Sequence, residues 1–285
     1  MKMNINNVPS LYMTDDLIKD VMAPKLSLQD CKSLSKVCKQ WNGVFTQQVL
    51  EEKLLDDVTF GKKKWLQVSG VSDVSDDPIL NQAQKTTLIN KLKEKCDFFN
   101  EPDNIQPHRF QKSTNNRFWQ TRLVILFPEK INREPVDINR MGRIFSFEKE
   151  GDAKTVFDII CGNENEEYRN RPATRTYFAI VTLDVIPGSR RTSHEAKENL
   201  LHPKGYRVPT PLEAVISNLV MNLGPCQKKE GYFFGKEGKW WTYTATDELF
   251  NGYRLVVGAA SSSGPGVDPD YGNAGVGAAA VEEVL

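Results

Sequence analysis

The sequence predicts an α+β protein, with a small all-helical N-terminal unit of three short helices followed by a mixed domain with a mainly antiparallel sheet. Apolar residues recur at helical spacing before residue 58, whereas β-rich runs outnumber helical ones after residue 117. Between them, residues 69–116 are rich in Ser, Asp, Asn, Gln, Lys and Pro, with one helical patch near 86–99. We therefore divide the chain into a helical unit at 8–57, a linker or helical connecting region at 58–116 and an α+β domain at 117–285.

The three helices of the N-terminal unit follow from their caps and apolar stripes. Thr14 can cap the first helix, over 14–22, and Pro24 must end it because proline cannot continue a helix. Ser27 can cap the second helix, with Asp30 reaching back as in a capping box, and the third helix spans about 44–57. Their apolar faces are, in order, Leu17, Ile18, Val21 and Met22; Cys31, Leu34, Val37, Cys38 and Trp41; and Val49, Leu50, Leu54 and Leu55. Three short helices bury little surface, so this unit is expected to be marginally stable unless a partner completes its core.

The elements of the second domain follow from β-rich runs and one well-marked helix. Residues 121–127 form an apolar run closed by proline and predict a central strand, and 177–186 predict another. Residues 211–223 predict a helix, with Thr210 as cap and Pro211 in the first helical position. Further strands are expected at 239–246 and 253–259. The Gly-, Ala- and Ser-rich tail from 258 to 280 fits either a flexible tail or two small-residue strands around a loop.

The second predicted helix carries residue types that resemble the F-box family. The family has a leucine followed by Asp-Leu-x-x-Leu-x-x-Val-Cys-x-x-Trp. At the same spacing, with Cys31 in place of one leucine, this chain has Leu26, Asp30, Leu34, Val37-Cys38 and Trp41. Towards the N-terminus, Met13-Thr14 stands where the family has Leu-Pro, and one residue is added near Pro24. The resemblance covers residues 8–55.

The resemblance implies a non-enzymatic adaptor that docks on a Skp-type adaptor of a cullin ubiquitin ligase. The second domain would then recruit an unknown protein substrate. The partner-binding residues that the resemblance implies are Leu17, Ile18, Val21, Met22, Leu26, Leu28, Val37, Cys38 and Trp41.

Three further segments are similar to F-box-containing effectors of amoeba-infecting (environmental) chlamydiae. They are Phe60–Trp65, Val181–Arg190 and Val256–Gly258. In those proteins, too, an F-box precedes a mixed domain. The similarity implies a bacterial effector that uses host ubiquitin machinery, with its place in the host cytosol.

The charge balance excludes several classes of protein. The chain has 37 basic and 37 acidic residues among 285, so its formal net charge is zero. A duplex nucleic-acid binder needs a basic excess, which makes a nucleic-acid partner unexpected. No apolar run approaches the roughly 18 residues of a membrane span, and the polar start at 1–7 lacks the apolar core of a signal peptide. A cytoplasmic protein without a membrane span is therefore predicted. Arginine occurs only from Arg109 to Arg254, so the basic residues of the helical unit are all lysines.

The cysteines and histidines predict neither a metal site nor a cofactor. Five cysteines are widely spaced without a C-x-x-C pair, as expected of reduced thiols. The histidines are His108, His194 and His202, all in segments that resemble loops. A Cys/His nucleophile pair stays open as an alternative, because such partners can lie far apart in the sequence.

Two segments of the second domain are candidates for a recognition surface. Pro187-Gly188-Ser189 precedes Arg190 and Arg191, and such a turn can either hold a phosphate or carboxylate or be a solvated turn. Trp240 and Trp241 lie on opposite faces of a predicted strand, so one faces the core, and the other either packs in the core as well or can contact a partner. The acidic residues Glu164, Glu166 and Glu167 are interpreted as a solvated loop or helix start.

Two alternatives to the adaptor stay open at this point. One is an uncharacterised hydrolase-like enzyme in the second domain, with His194 or His202 next to Cys161, Cys226 or Ser189 and the helices serving only for targeting. The other is a structural module that self-associates through its N-terminal helices.

Overall fold

The computed structural model describes residues 47–76, 78–93, 121–144, 147–149, 152–154, 167–223, 243–261, 264–270 and 276–284. The chain divides after Val58 into two compact units, 1–58 and 59–285, which we describe separately. Helices and strands are mixed, and the sheets combine antiparallel with parallel pairs, so the predicted α+β class is confirmed. In the first unit the described part is one helix, α1 (Gln47–Val58), which corresponds to the third predicted helix. The first two predicted helices lie outside the described residues.

The helices of the second unit are short. In the described ranges they are α2 (Lys62–Trp65), α3 (Gln82–Lys93), α4 (Ile138–Ile144), α5 (His194–Leu201) and α6 (Pro211–Leu223), with 3-10 turns at Glu167–Arg169 and His202–Lys204. The helix predicted at 211–223 is confirmed with the same bounds. No helix in the part of the chain that the structure describes is both long and apolar enough to cross a membrane.

The described strands of the second unit form two four-stranded sheets and two antiparallel two-stranded sheets. The strands are β1 (Thr59–Phe60), β2 (Arg122–Phe127), β3 (Lys130–Ile131), β4 (Glu134–Pro135), β5 (Phe147–Lys149), β6 (Asp152–Lys154), β7 (Tyr177–Thr182), β8 (Tyr243–Phe250), β9 (Tyr253–Ser261), β10 (Gly264–Pro269), β11 (Val276–Gly277) and β12 (Val281–Glu283).

The first sheet has the order β1–β2–β7–β12. β2 pairs parallel with β1 and antiparallel with β7, and β7 pairs antiparallel with β12. All six residues of β2 are buried, as expected of an interior strand with an almost continuous apolar run. The strand predicted at 121–127 and its central place in a sheet are therefore confirmed.

β7 ends at Thr182, four residues before the predicted end at Ile186. The Asp184 carboxylate accepts a hydrogen bond from the N–H of Val185 at 2.8 Å, and the Thr182 hydroxyl donates to the Asp184 carbonyl at 2.9 Å. These local bonds turn the chain out of the strand ladder. The apolar residues that follow the strand are therefore buried without being part of it, as Val185 and Ile186 show.

The second sheet has the order β10–β9–β8–β11. β8 and β9 form a hairpin through Asn251 and Gly252, whose φ angles are 51° and 83°. Positive φ at both central residues is the type I′ geometry that matches the twist of the flanking strands. The predicted strand at 253–259 is confirmed and extends to Ser261. β10, however, occupies 264–269 and pairs with β9, where a loop was one of the predicted alternatives.

The segment Ala278–Ala280 joins β11 of the second sheet to β12 of the first. These alanines are buried, so their N–H groups need partners within the protein. The hydroxyls of Ser189, Thr244 and Thr182 accept from the first, second and third alanine at 2.9, 2.7 and 3.0 Å. Side-chain hydroxyls thus replace strand pairing where the chain passes from one sheet to the other.

Gly277, just before these alanines, allows a close approach of two segments. A Cβ at this position would lie 2.9 Å from the Val185 Cβ and 3.0 Å from the Ser189 Oγ. We expect Gly277→Ala to lower the free energy of unfolding by about 1–3 kcal/mol, because the added methyl overpacks a closed site. Urea unfolding followed by tryptophan fluorescence measures this loss. An unchanged midpoint would show that the backbone there shifts at little cost.

Residues 59–93, part of the predicted connecting region, belong to the second unit. β1 is an outer strand of the first sheet, and the indole Nε1 of Trp65 donates to the Leu126 carbonyl at 3.0 Å. Further along, Val74 forms an isolated bridge with Ile131. This segment therefore covers one side of β2 and β3 in addition to connecting the units.

Candidate functional site

The second unit contains a cavity of about 500 Å³ at the N-terminal end of α6. The ends of β2 and β8, the start of β7 and the segment 171–174 complete its boundary. Small-molecule and side-chain binding sites commonly measure about 300–1,000 Å³, so the cavity has the size of a ligand site. Its apolar walls include Phe127, Pro172, Leu212, Ile216 and Leu249.

The first turn of α6 forms one wall because Thr210 to Glu213 is a capping box. The Thr210 Oγ1 accepts from the N–H of Glu213 at 3.2 Å, and the Glu213 carboxylate accepts from the N–H of Thr210 at 2.8 Å. Pro211 has no N–H that would need a partner in the first turn. The predicted cap at Thr210 is confirmed, and it fixes the Glu213 carboxylate beside the cavity.

Glu213 is almost fully buried and is the centre of a hydrogen-bond network. Arg207 donates to its carboxylate through both terminal nitrogens at 2.7 and 2.6 Å, and the Tyr177 hydroxyl donates at 2.6 Å. Burial opposes ionisation of Glu213, but the hydrogen bonds from Arg207 and Tyr177 outweigh it and hold the pKa below its usual value. Burial and the Glu213 charge raise the pKa of Tyr177 well above its usual range. Glu213 stays ionised and Tyr177 stays protonated, as in a structural network rather than an acid–base pair.

Aromatic side chains hold two sides of the cavity in place. Phe127 and Tyr177 stack with ring centroids 5.3 Å apart and planes 18° apart, and the Arg175 guanidinium lies 5.2 Å from the centroid of the Tyr177 ring. Tyr168, on another side, packs edge-on against Phe250 at 5.3 Å. These contacts between the protein's own side chains hold the walls of the cavity in place.

Two acidic residues near the end of β8 lie at the cavity, and they differ in their partners. Glu248 pairs with Arg171 at 2.8 Å. The Asp247 carboxylate receives no ion pair or hydrogen bond from another residue in the described part of the chain. Asp247 is an exposed residue that lines the cavity. Desolvation by the neighbouring protein, followed by the negative charge of Glu213, raises the pKa of its carboxyl group to about 6. Among the described residues, Asp247 is therefore the acidic group at this cavity that no cation contacts directly, although the charge of Arg207 also acts on it.

Of the predicted recognition residues, Arg190 and Arg191 do not line this cavity. Arg190 is 3% exposed, and Ser189 before it is fully buried, so Arg191 is the member of the arginine pair that reaches the surface. Arg191 has a φ of 56°, in the left-handed region, as the chain leaves the turn. Trp240 and Trp241 lie outside the described residues. Glu167 is exposed and begins a 3-10 turn, while Glu164 and Glu166 lie outside the described ranges.

The geometry around Ser189 fits a structural role better than a nucleophile. Its hydroxyl donates to the Ile186 carbonyl and accepts from the N–H of Ala278, so its proton and one lone pair are engaged. His194 and His202 both lie next to Glu198, and within the described ranges no hydrogen bond joins either histidine to Ser189. Cys161 and Cys226 lie outside the described residues.

The described residues hold no group of three or more His, Cys, Asp or Glu side chains that could bind a metal ion. The residues of the predicted docking surface also lie outside the described part of the chain. They are Leu17, Ile18, Val21, Met22, Leu26, Leu28, Val37, Cys38 and Trp41.

The sequence predicts the cap of α6 but not the site that it forms. Thr210 and Pro211 indicate a helix start, whereas the role of Glu213 as a capping-box acid, three positions after the cap, is a finding of the structure. The Thr-x-x-Glu spacing is a sequence signal for this wall of the site. No sequence signal places Asp247 at the site, because its proximity to α6 depends on a contact distant in sequence, the hydrogen bond from its N–H to the Pro209 carbonyl at 3.0 Å.

Comparison with known proteins gives no significant match, whether with protein-family models, with curated proteins or with solved structures.

Proposed function

We propose that this chain is a non-enzymatic adaptor. Residues 8–57 would dock on a Skp-type adaptor of a cullin ubiquitin ligase, and the second unit would recruit a protein substrate. The sequence support is the joint identity and spacing of Leu26, Asp30, Val37-Cys38 and Trp41. Helical periodicity explains why these positions include apolar residues, but it does not explain the aspartate or the Val-Cys pair before the tryptophan.

The division of the chain is the observation that carries the proposal. The boundary between the two compact units follows Val58, directly after the F-box-like sequence at 8–57. An adaptor needs two binding surfaces on separately built parts, one for the ligase and one for the substrate. A division of the chain at this point supports that arrangement.

The cavity in the second unit supplies a candidate surface for the substrate. Its walls are partly apolar and are held by contacts within the protein, and among the described residues Asp247 is an acid there without an ion-pair partner. These are usual features of a recognition site. The adaptor would act by proximity alone, because holding a substrate beside the charged ubiquitin carrier raises its effective concentration there. No catalytic residue in the chain is needed for this mechanism.

The similarity of three segments to F-box-containing effectors of amoeba-infecting chlamydiae supports a more specific setting. The chain would be a bacterial effector that acts in the cytosol of a host cell. Its ligase partner and its substrate would then both be host proteins.

Docking is tested by placing charges on the predicted partner surface. We expect the double variant Leu17→Asp, Leu26→Asp to lose co-purification with a Skp-type adaptor from eukaryotic cells, because a carboxylate cannot be buried against an apolar partner without a large cost. The second unit should remain folded, since its core is built separately. Immunoblotting for the adaptor measures recovery, and circular dichroism measures folding.

The control is Ile79→Asp, which makes one of the same leucine/isoleucine-to-aspartate changes at a residue of the second unit that is 93% exposed. Its recovery of the adaptor should equal that of the unaltered chain. Equal recovery by the double variant would contradict docking through residues 8–57.

A further inference from the structure

We propose that the cavity at the N-terminal end of α6 binds a lysine or arginine side chain of a substrate peptide, with Asp247 as its charge partner. The apolar walls would contact the methylene groups of that side chain and the apolar residues that flank it. This inference rests on the proposed function, because it specifies the kind of protein segment that the adaptor would recruit.

The charge balance of the cavity favours a cationic ligand. Glu213 is neutralised by the two-pronged contact with Arg207, and Glu248 is paired with Arg171. In the described residues these pairings leave the Asp247 carboxylate as the acid at the cavity without a partner. An incoming ammonium or guanidinium group would supply the missing opposite charge, and charge-assisted hydrogen bonds are stronger than neutral ones.

The apolar walls of the cavity can pack against the methylene groups of a long basic side chain. Lysine and arginine bury their methylene groups along apolar surface while the charged end reaches a polar partner. Phe127, Leu212 and Ile216 provide such surface in the cavity. An anionic ligand would be repelled by Asp247, and a purely apolar ligand would remove water from its exposed carboxylate without replacing the lost hydrogen bonds.

The mouth of the cavity points to a peptide rather than a free amine. Leu249 lines the cavity and is still 57% exposed, which is unusual for a leucine beside an apolar site. The exposed Pro172 also borders the cavity. A peptide could cover both residues with neighbours of the basic side chain, whereas a small cation would leave them in water.

The surroundings of Asp247 predict how binding depends on pH. Its pKa is raised to about 6, first by desolvation and then by the charges of Glu213 of α6 and Glu248 of β8, while Arg207 before α6 favours its ionisation. Arg254 of β9 donates to the backbone carbonyl of Asp247 and not to its carboxylate. A cation binds the ionised form, so affinity should fall as the pH drops through about 6 and should be constant above about 7.

The test measures peptide binding to the purified full-length chain without the Skp-type adaptor. The probes are two positional-scanning peptide libraries, one with arginine or lysine fixed at the centre and one with norleucine fixed there. Fluorescence polarisation should show binding of the basic library, with apolar residues preferred at the flanks. Asp247→Asn should weaken that binding about tenfold or more, because the variant removes a charge-assisted contact.

Stability provides a readout that separates binding from folding. A carboxyl whose pKa is raised in the folded state destabilises that state at pH values above its unfolded pKa. The thermal midpoint of Asp247→Asn at pH 7.5 should therefore equal or exceed that of the unaltered chain. The control is Asp73→Asn, an exposed acid outside the cavity, which should change neither peptide binding nor the midpoint.

Three outcomes would overturn the proposal. They are equal binding of the norleucine library, unchanged binding by Asp247→Asn, and binding of free arginine amide as tightly as of the peptides. Because the assay contains no ligase component, these outcomes leave the docking model untouched. Loss of adaptor recovery by the Leu17→Asp, Leu26→Asp chain likewise says nothing about this cavity.

Discussion

Replacing Arg207 with methionine is expected to lower the free energy of unfolding of the second unit by about 3–5 kcal/mol, because it leaves a buried carboxylate without its cation. The Glu213 side chain is 2% exposed, so water cannot take the place of the guanidinium. Methionine keeps much of the apolar volume of the arginine. The loss therefore measures the uncompensated charge rather than a cavity, and urea unfolding at pH 7.5 is the measurement.

The same variant should reverse the pH dependence of stability. In the unaltered chain the pKa of Glu213 lies below its usual value, so its contribution is present above the unfolded pKa and is lost as the pH falls through the folded one. Without Arg207, burial becomes the dominant influence and raises that pKa above the unfolded value. Arg207→Met should then gain stability on acidification from neutral pH to about 5, where the unaltered chain gains none from this group.

Two further variants separate the effect of the buried Glu213 charge from the effect of the two-pronged contact with Arg207. Adding Glu213→Gln to Arg207→Met removes the buried charge while keeping an oxygen that can accept from Tyr177 and Thr210, so most of the lost stability should return. Arg207→Lys keeps the charge but not the two-pronged contact and should cost about 1–2 kcal/mol. A double variant as unstable as Arg207→Met alone would contradict the charge explanation and would favour a packing effect.

The parts of the fold that the sequence predicts well are those in which local chemistry and burial agree. α6 is such a case, since cap, first-turn proline and apolar stripe all indicate the same bounds. The run ending at Phe127 is another, because its unbroken apolar character fits an interior strand. The end of β7 was placed too late because a buried loop and a strand look alike in composition, and the decisive residue is Asp184, whose carboxylate binds the next N–H.

The second sheet contains a turn, Asn251-Gly252, that the sequence itself indicates. Asn251-Gly252 is among the strongest short hairpin sequences, and it joins β8 to β9 with positive φ at both residues. β10, in contrast, is a strand that its local sequence does not indicate. Its sequence, with Gly264, Pro265 and Gly266, disfavours a strand, and its pairing with β9 comes from tertiary contact.

One part of the candidate site can be predicted from the sequence, because it depends on residues that are close together in the chain. Thr210 to Glu213 is local and carries a recognisable spacing, so one wall could have been identified from the sequence. Arg207 and Tyr177 meet Glu213 only through the fold: Tyr177 begins a strand of the first sheet, and Arg207 is held by a bridge to Val281. Residues that meet across such distances leave no periodic trace in the sequence.

Trp65→Ala is expected to be the most destabilising single truncation in the segment that precedes β2. Trp65 is fully buried, its ring packs edge-on against Phe60 with centroids 5.2 Å apart, and its Nε1 donates to the Leu126 carbonyl. Truncating a buried tryptophan costs about 3–5 kcal/mol, and the carbonyl of an interior strand loses a partner as well. Urea unfolding followed by circular dichroism gives the change.

Trp65→Phe is the matched control, because it keeps an aromatic ring but removes the N–H donor and should cost about 1–2 kcal/mol. Together the two variants decide whether residues 59–76 are a connecting segment or a structural part of the second unit. If they only connect, neither substitution should move the unfolding midpoint, and a chain that starts at 117 should fold as stably as one that starts at 59. The burial of Trp65 against β2 leads us to expect the opposite, since a chain that starts at 117 lacks both β1 and the partner of the Leu126 carbonyl.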